Sequence, residues 1–285
     1  MKYQNNLKGR KVVYFVPGMN GMQVKRNITY KTAGEQALLF DVYAPPDLEP
    51  GSLRPAVIFI HEDGPEEQIK NAKDWEKYVS WGKLTAAYGF TGITFNHRAS
   101  YNQIMSLYAV SADIDDLIQY LNQHACELGV DPEALCLWSC SSGVPYLAPY
   151  FSEPKANIRC LVAYYGIMNL EPMSKELPEF MPLDERKEQI QALKKYSLIR
   201  GLDYHPEKAP PTLVVQADLD HPDIIDGINQ FYRKAKEVMA PVGLIGHPEG
   251  RHAFDVLDES ERSKEIVRAT MEFIKEHLSR KESID

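Results

Sequence analysis

No apolar run in the 285-residue chain approaches the roughly 20 residues that a membrane helix needs. The early run Lys11–Val16 is short and is broken at once by Pro17 and Gly18, so it does not read as the core of a signal peptide. The expectation is a cytoplasmic chain that meets no membrane, in which the sequon Asn27-Ile28-Thr29 stays idle. Cysteine is scarce. Cys126, Cys136, Cys140 and Cys160 show no C-x-x-C spacing and read as buried thiols, not as a disulfide frame. G-x-G-x-x-G and P-loop motifs are missing, and Gly18-Met-Asn-Gly21 is only a turn. His247 and His252 lack the H-E-x-x-H spacing of a zinc site. Asp218, Asp220 and Asp223 make a poor cation loop because Pro222 interrupts them. No cofactor and no metal is expected. A basic excess is missing too: Lys plus Arg number 32 against 40 Asp plus Glu, a net charge of −8, which argues against a nucleic-acid partner. The apolar share of 44% excludes a disordered chain.

What is present is an alternation of strands and helices. Gln36–Tyr43, Ala56–Ile60, Thr91–Phe95, Leu135–Trp138, Ile158–Tyr164, Thr212–Gln216 and Pro241–Gly246 are short β-rich runs, several of them apolar throughout as in strands covered on both faces. Between them, Leu107, Val110, Ile114, Leu117, Ile118 and Leu121 recur at helical spacing, with Asp113–Asp116 read as a solvated face. A second helix places Ile224, Ile228, Phe231, Ala235 and Val238 inward, and a third, about Ser260 to Ser279, does so with Val267, Met271, Ile274 and Leu278. Such alternation predicts an α/β fold with a mainly parallel sheet, helices on both faces and an antiparallel N-terminal edge. Leu170–Lys208 breaks the rhythm and reads as a cap-like insertion over one end of the sheet, within a single domain covering residues 1–285.

Leu135-Cys-Leu-Trp-Ser-Cys-Ser-Ser-Gly-Val144 runs from an apolar strand into small residues and then a predicted helix start near Ser142. A G-x-S-x-G nucleophile elbow needs that context, with small residues two before and two after the nucleophile. Ser141 satisfies both, with Ser139 and Gly143 at those places. Ser142 would have Val144 at the second place and Cys140 would have Trp138 at the first, and neither fits. A serine here is also an ordinary helix N-cap. A hydroxyl nucleophile needs a base, and the base needs a carboxylate. Ala217-Asp-Leu-Asp-His-Pro-Asp223 and Gly246-His-Pro-Glu-Gly-Arg-His-Ala-Phe254 follow later strands, giving the order Ser, Asp, His along the chain.

The chain resembles the α/β-hydrolase superfamily, esterase branch, dienelactone-hydrolase-like and acetyl-esterase-like. The resemblance spans about Gln36 to Leu278. It rests on Phe40-Asp-Val-Tyr-Ala-Pro45, Ile58-Phe-Ile-His-Glu-Asp-Gly64, Phe95-Asn-His-Arg98, Leu137-Trp-Ser-Cys-Ser-Ser-Gly143, Gln216-Ala-Asp-Leu-Asp220 and Gly250-Arg-His-Ala-Phe254. It implies a serine hydrolase of small carboxylic esters, working through an acyl-enzyme. In such relatives the acid follows an H-G-x-x-D pattern. Gln216 and Ala217 stand in the H-G places, which selects Asp220 over Asp218 and Asp223. The base is assigned to His252 over His247 and His221 by the Ala-Phe that follows it. The oxyanion donors are assigned to the backbone N–H groups of Asp63 and Ser142, with Glu62 and Gly64 as neighbours.

Two departures stand out. Ser139 replaces the usual elbow glycine, and Glu62-Asp63 sets negative charge where many esterases carry glycine. Inward carboxylates there would oppose the chemistry, and Glu62 is also within reason as a resting partner of Ser141. Tyr146, Tyr150, Phe151, Tyr164 and Tyr165 read as core first and acyl-pocket lining second. The competing functions are a peptidase of prolyl-oligopeptidase type, which lacks its propeller here, and a non-catalytic binding protein on the same fold. Acyl specificity and assembly into a homo-oligomer are not encoded in any motif.

Overall fold

The computed structural model describes residues 7–101 and 103–279. Eight strands form one sheet: β1 Gln23–Ala33, β2 Gln36–Ala44, β3 Arg54–Ile60, β4 Thr91–Phe95, β5 Val130–Cys140, β6 Ile158–Tyr164, β7 Thr212–Ala217 and β8 Val242–His247. Their spatial order is β1-β2-β4-β3-β5-β6-β7-β8. β1 and β2 are the antiparallel edge, and β3 to β8 pair in parallel. The fold class expected from the alternation is the one observed.

The central strands are almost entirely buried, and mostly apolar, because both sheet faces are covered. Side chains alternate along a strand. In β3, Ile58 and Ile60 enter one core with Leu107, Val110, Ile114 and Leu121 of the helix Ser106–Gln123. Val57 and Phe59 enter the other, with Trp81 and Leu84 of the helix Glu76–Ala87 and Met271 and Ile274 of the helix Glu261–Leu278. The helix Glu76–Ala87 has no signature in the sequence. Lys77, Tyr78, Val79, Ser80, Trp81 and Leu84 are all buried, so it shows no polar stripe. It lies close on β4, where a Cβ on Gly92 would meet the Gly82 backbone at 2.7 Å.

Several expectations are corrected. No regular α-helix begins near Ser142. The chain enters a 3-10 helix, Ser141–Leu147, that holds Pro145, followed by a short α-helix, Ala148–Ser152. Pro145 has no N–H to give to the Ser141 carbonyl, which instead accepts from Ile167 N at 3.3 Å. Cys126 is exposed; only Cys136, Cys140 and Cys160 are buried. Asp113 is not part of a solvated face. It is fully buried and held by Arg98 and Lys31, at 2.8 and 2.7 Å. Tyr146, Tyr150, Phe151, Tyr164 and Tyr165 are all buried in the two cores.

Because β3 to β8 run in parallel, the segments leaving their C-terminal ends gather along one edge of the sheet. That edge receives His61–Gly64 after β3, Ser141 after β5, Asp220 after β7 and His252 after β8. Among the described residues, no helix is long and apolar enough to cross a membrane.

Candidate active site

Ser141 takes a left-handed φ of 53°, directly after the last residue of β5. A non-glycine residue in that region is strained and persists where the surroundings enforce it. Here the enforcement is steric. A Cβ on Gly143 would stand 2.5 Å from the His61 carbonyl oxygen and 2.6 Å from Ser139 Oγ. The two flanking positions thus face each other, as the elbow argument requires. Serine is tolerated at 139 because its hydroxyl donates to the Ile60 carbonyl at 2.9 Å, which links β5 to β3.

Ser141 Oγ lies 2.9 Å from His252 Nε2, and His252 Nδ1 lies 2.6 Å from Asp220 Oδ2. A carboxylate can only accept, so Nδ1 carries the ring proton and Nε2 is left to accept from Ser141. Asp220 is largely buried, and its other oxygen accepts from His221 N at 2.7 Å. The rival carboxylates are elsewhere. Asp218 accepts from Gln216 Nε2 at 2.8 Å, and Asp223 is exposed beside His221 at the start of the helix Pro222–Glu237. His247 is buried, with Asp258 and Ser263 as partners. Flanking-residue size had selected Ser141, and the family resemblance Asp220 and His252; the fold brings these three within hydrogen-bond reach.

Neither acidic residue of the loop points at Ser141. Glu62 is buried. Its carboxylate accepts from the Tyr78 hydroxyl and lies 3.6 Å from Lys77 Nζ. Its own N–H is used by Tyr78 Oη at 3.2 Å. Burial works against the charge on Lys77, but the Glu62 and Asp255 carboxylates around it hold its pKa above the ordinary lysine value. Burial, and then Glu62, push the Cys140 thiol up, so it stays protonated. Cys140 is therefore part of the support beneath the elbow, 3.1 Å from Lys77 Nζ.

The Asp63 carboxylate turns toward the loop after β4. It accepts from Ser100 N at 3.1 Å, Ser100 Oγ at 2.6 Å and Gly64 N at 2.9 Å. Three donors spread its charge. Ser142 Oγ donates to the Asp63 carbonyl at 2.8 Å and ties the loop to the elbow. The Glu62 N–H is thus taken, while Asp63 and Ser142 both line the cavity beside Ser141.

Two histidines hold this loop from below. The rings of His61 and His97 stack at 3.6 Å with a 10° interplanar angle. His61 Nδ1 is 2.8 Å from the Glu62 carbonyl, and His97 N donates to His61 Nε2 at 3.4 Å. Burial lowers the pKa of both, and for His61 the neighbouring His97 adds to it. Tyr165 was read as core first and acyl-pocket lining second. Its ring also packs against His252, at 4.7 Å between centroids.

Ser141 and His252 open into a cavity of about 530 Å³, with Asp63 and Ser142 in its wall. Leu170, Met173 and Leu193 from the 170–208 stretch line its apolar side, together with Ile167. Among the described residues, no cluster of side chains is arranged to hold a metal ion.

A relay of this geometry on this sheet defines the α/β-hydrolase class. The BD-FAE family matches residues 40–223, well over half of the chain. The chain belongs to this α/β-hydrolase-type esterase family. It is similar in structure to Est2, a thermophilic esterase from the planctomycete Thermogutta terrifontis. The propionate-bound form superimposes with a TM-score of 0.68 at 19% identity, over 92% of this chain and 95% of that one. The native form gives 0.68 at 19%, over 94% and 97%. The paraoxon-phosphorylated form gives 0.65 at 19%, over 92% and 95%. No curated protein matches the sequence.

Proposed function

We propose that the chain is a serine carboxylic-ester hydrolase acting on small-molecule esters through an acyl-enzyme. The observation that carries the reading is the hydrogen-bonded line Asp220–His252–Ser141 at the mouth of an apolar cavity. Ser141 Oγ attacks the ester carbonyl while His252 Nε2 takes its proton. Asp220 holds the ring tautomer and stabilises the imidazolium. The carbonyl oxygen becomes an oxyanion facing the N–H groups of Asp63 and Ser142, each worth about 2.7–4 kcal/mol in such a role. Collapse expels the alcohol, which leaves with the proton from His252. Water, deprotonated by His252, attacks the Ser141 ester and releases the acid. Est2, which shares the fold, is phosphorylated by paraoxon, a reaction that needs a reactive nucleophile.

The test is labelling by a fluorophosphonate together with hydrolysis of p-nitrophenyl acetate, beside Ser141→Ala. The wild type should label at Ser141, and the variant should lose on the order of 10⁶ in kcat. No labelling, with equal rates for both proteins, would falsify the reading.

A further inference from the structure

Three hollows adjoin one another, and Ser141 lines the first. The cavity at the nucleophile shares Gln103, Ile104 and Met173 with a second hollow of about 480 Å³. That second hollow continues past Met105, Leu177, Pro178 and Met181, with Gln103, Ser106, Glu176 and Gln189 as its polar and charged members. On the other side, Pro65, Tyr101 and Gln103 are shared with a third hollow of about 690 Å³. Its wall includes Glu35, Gln36, Lys70, Asn71 and Arg98. The cavity at Ser141 therefore adjoins a mainly apolar arm and a polar arm, and Gln103 lines all three spaces.

We infer that the substrate is an ester of a medium- to long-chain apolar acyl group with a polar alcohol. The acyl chain would run along Ile104 and Met173 into the second hollow. The inference rests on the serine-esterase reading and adds the substrate class to it. The assignment of arms follows from the two halves of the reaction. The acyl group stays on Ser141 through the second step, so it belongs in the arm where exposed apolar side chains, Met105 and Met173, would be covered by a chain laid over them. The alcohol must return to water, so it belongs in the arm lined by charged and amide groups. The first cavity, at about 530 Å³, already has the size of a site for a whole small ligand, far more than an acetyl group fills. Methionines at positions 105, 173 and 181 suit a flexible chain, since unbranched thioethers adapt to the surface they meet.

The test is a series of p-nitrophenyl esters from acetate to decanoate, used below self-association, on the wild type and on Met181→Glu. The leaving group is constant, so only the acyl arm is varied. Each methylene buried should raise kcat/KM roughly three- to fourfold until the arm is full, for a gain of at least about 50-fold between acetate and octanoate. Met181→Glu should cut the decanoate-to-acetate ratio by at least about tenfold, because a carboxylate would then meet the chain end. If acetate is cleaved but rates fall beyond butanoate, or the ratio is the same in Met181→Glu, the acyl-arm inference is overturned and the serine-esterase reading stands. If no ester of any length is cleaved and Ser141 does not label, both fail.

Discussion

The ring of Tyr165 lies against the ring of His252, and its hydroxyl donates to Asp255, which also accepts from Trp81 Nε1 at 3.0 Å. Tyr165 has a left-handed φ of 36° just after β6, and its N–H is taken by the Val215 carbonyl at 2.7 Å. Its position is thus fixed from the core side, and it forms a wall behind the imidazole. This makes it a positioning residue for the base. Tyr165→Phe keeps the wall and removes one buried donor. It should lower stability to denaturant by about 1–3 kcal/mol with kcat changed less than about threefold. Tyr165→Ala removes the wall and should cut kcat by about 10²-fold at unchanged KM, below its melting transition. Equal kcat for the two variants would mean that the ring does not position His252.

The acid of the relay can be separated from its neighbour two residues away. Asp220→Asn leaves the shape intact but cannot hold the Nδ1–H tautomer, and kcat should fall by about 10⁴. Asp218 sits on Gln216 and away from His252. Asp218→Asn should stay within about threefold of the wild type. Steady-state kinetics on one short ester decides between them, and the reverse order would move the acid role to Asp218.

The elbow gives a steric prediction. Gly143→Ala places a methyl group 2.5 Å from the His61 carbonyl oxygen, so either the elbow or the oxyanion loop must move. It should cost at least about 2 kcal/mol and most of the activity. Ser139→Gly loses the bond to the Ile60 carbonyl but restores the usual elbow residue. Its cost should be about 1 kcal/mol with kcat retained, read by urea melts and ester turnover. A fully active Gly143→Ala protein would refute the packing account.

The parts of this site that were legible in the sequence are those whose physics is local. The sizes of residues 139 and 143 fix the elbow register, and β3 shows its burial because every side chain from Ala56 to Ile60 is apolar. The disposition of Glu62 and Asp63 was not legible, because it is decided by residues far along the chain. Glu62 is taken up by Tyr78 and Lys77, on a helix with no polar stripe to announce it. Asp63 is taken up by Ser100, 37 residues away. The negative charge that looked hostile to an oxyanion is thus already paired or hydrogen-bonded. Asp113 escaped for the same reason: its counter-ions come from β1 and from the loop after β4. Pro145 was visible, but the 3-10 turn that stands where a regular helix was expected was not, and neither was the bond from Ile167 N to the Ser141 carbonyl, 26 residues away.

The stacked pair His61 and His97 predicts how the site fails in acid. Burial holds both folded-state pKa values below the ordinary 6.5. The unfolded chain therefore binds protons that the native state does not bind, at pH values between the lowered folded values and 6.5. In that window stability rises with pH, since the slope follows the protons bound by the unfolded state minus those bound by the native state. The contribution is fully present above about pH 6.5 and is lost as pH falls toward the folded values. Each histidine adds up to about 1.4 kcal/mol per pH unit there. Urea melts at pH 7.5, 6 and 5 should show a steep loss of stability across the series. In His97→Gln the slope should shrink by about one proton, because an amide does not titrate while still offering a polar group near the His61 carbonyl. An unchanged slope would show that His97 binds protons equally in the native and unfolded states, so that its burial carries no pH dependence.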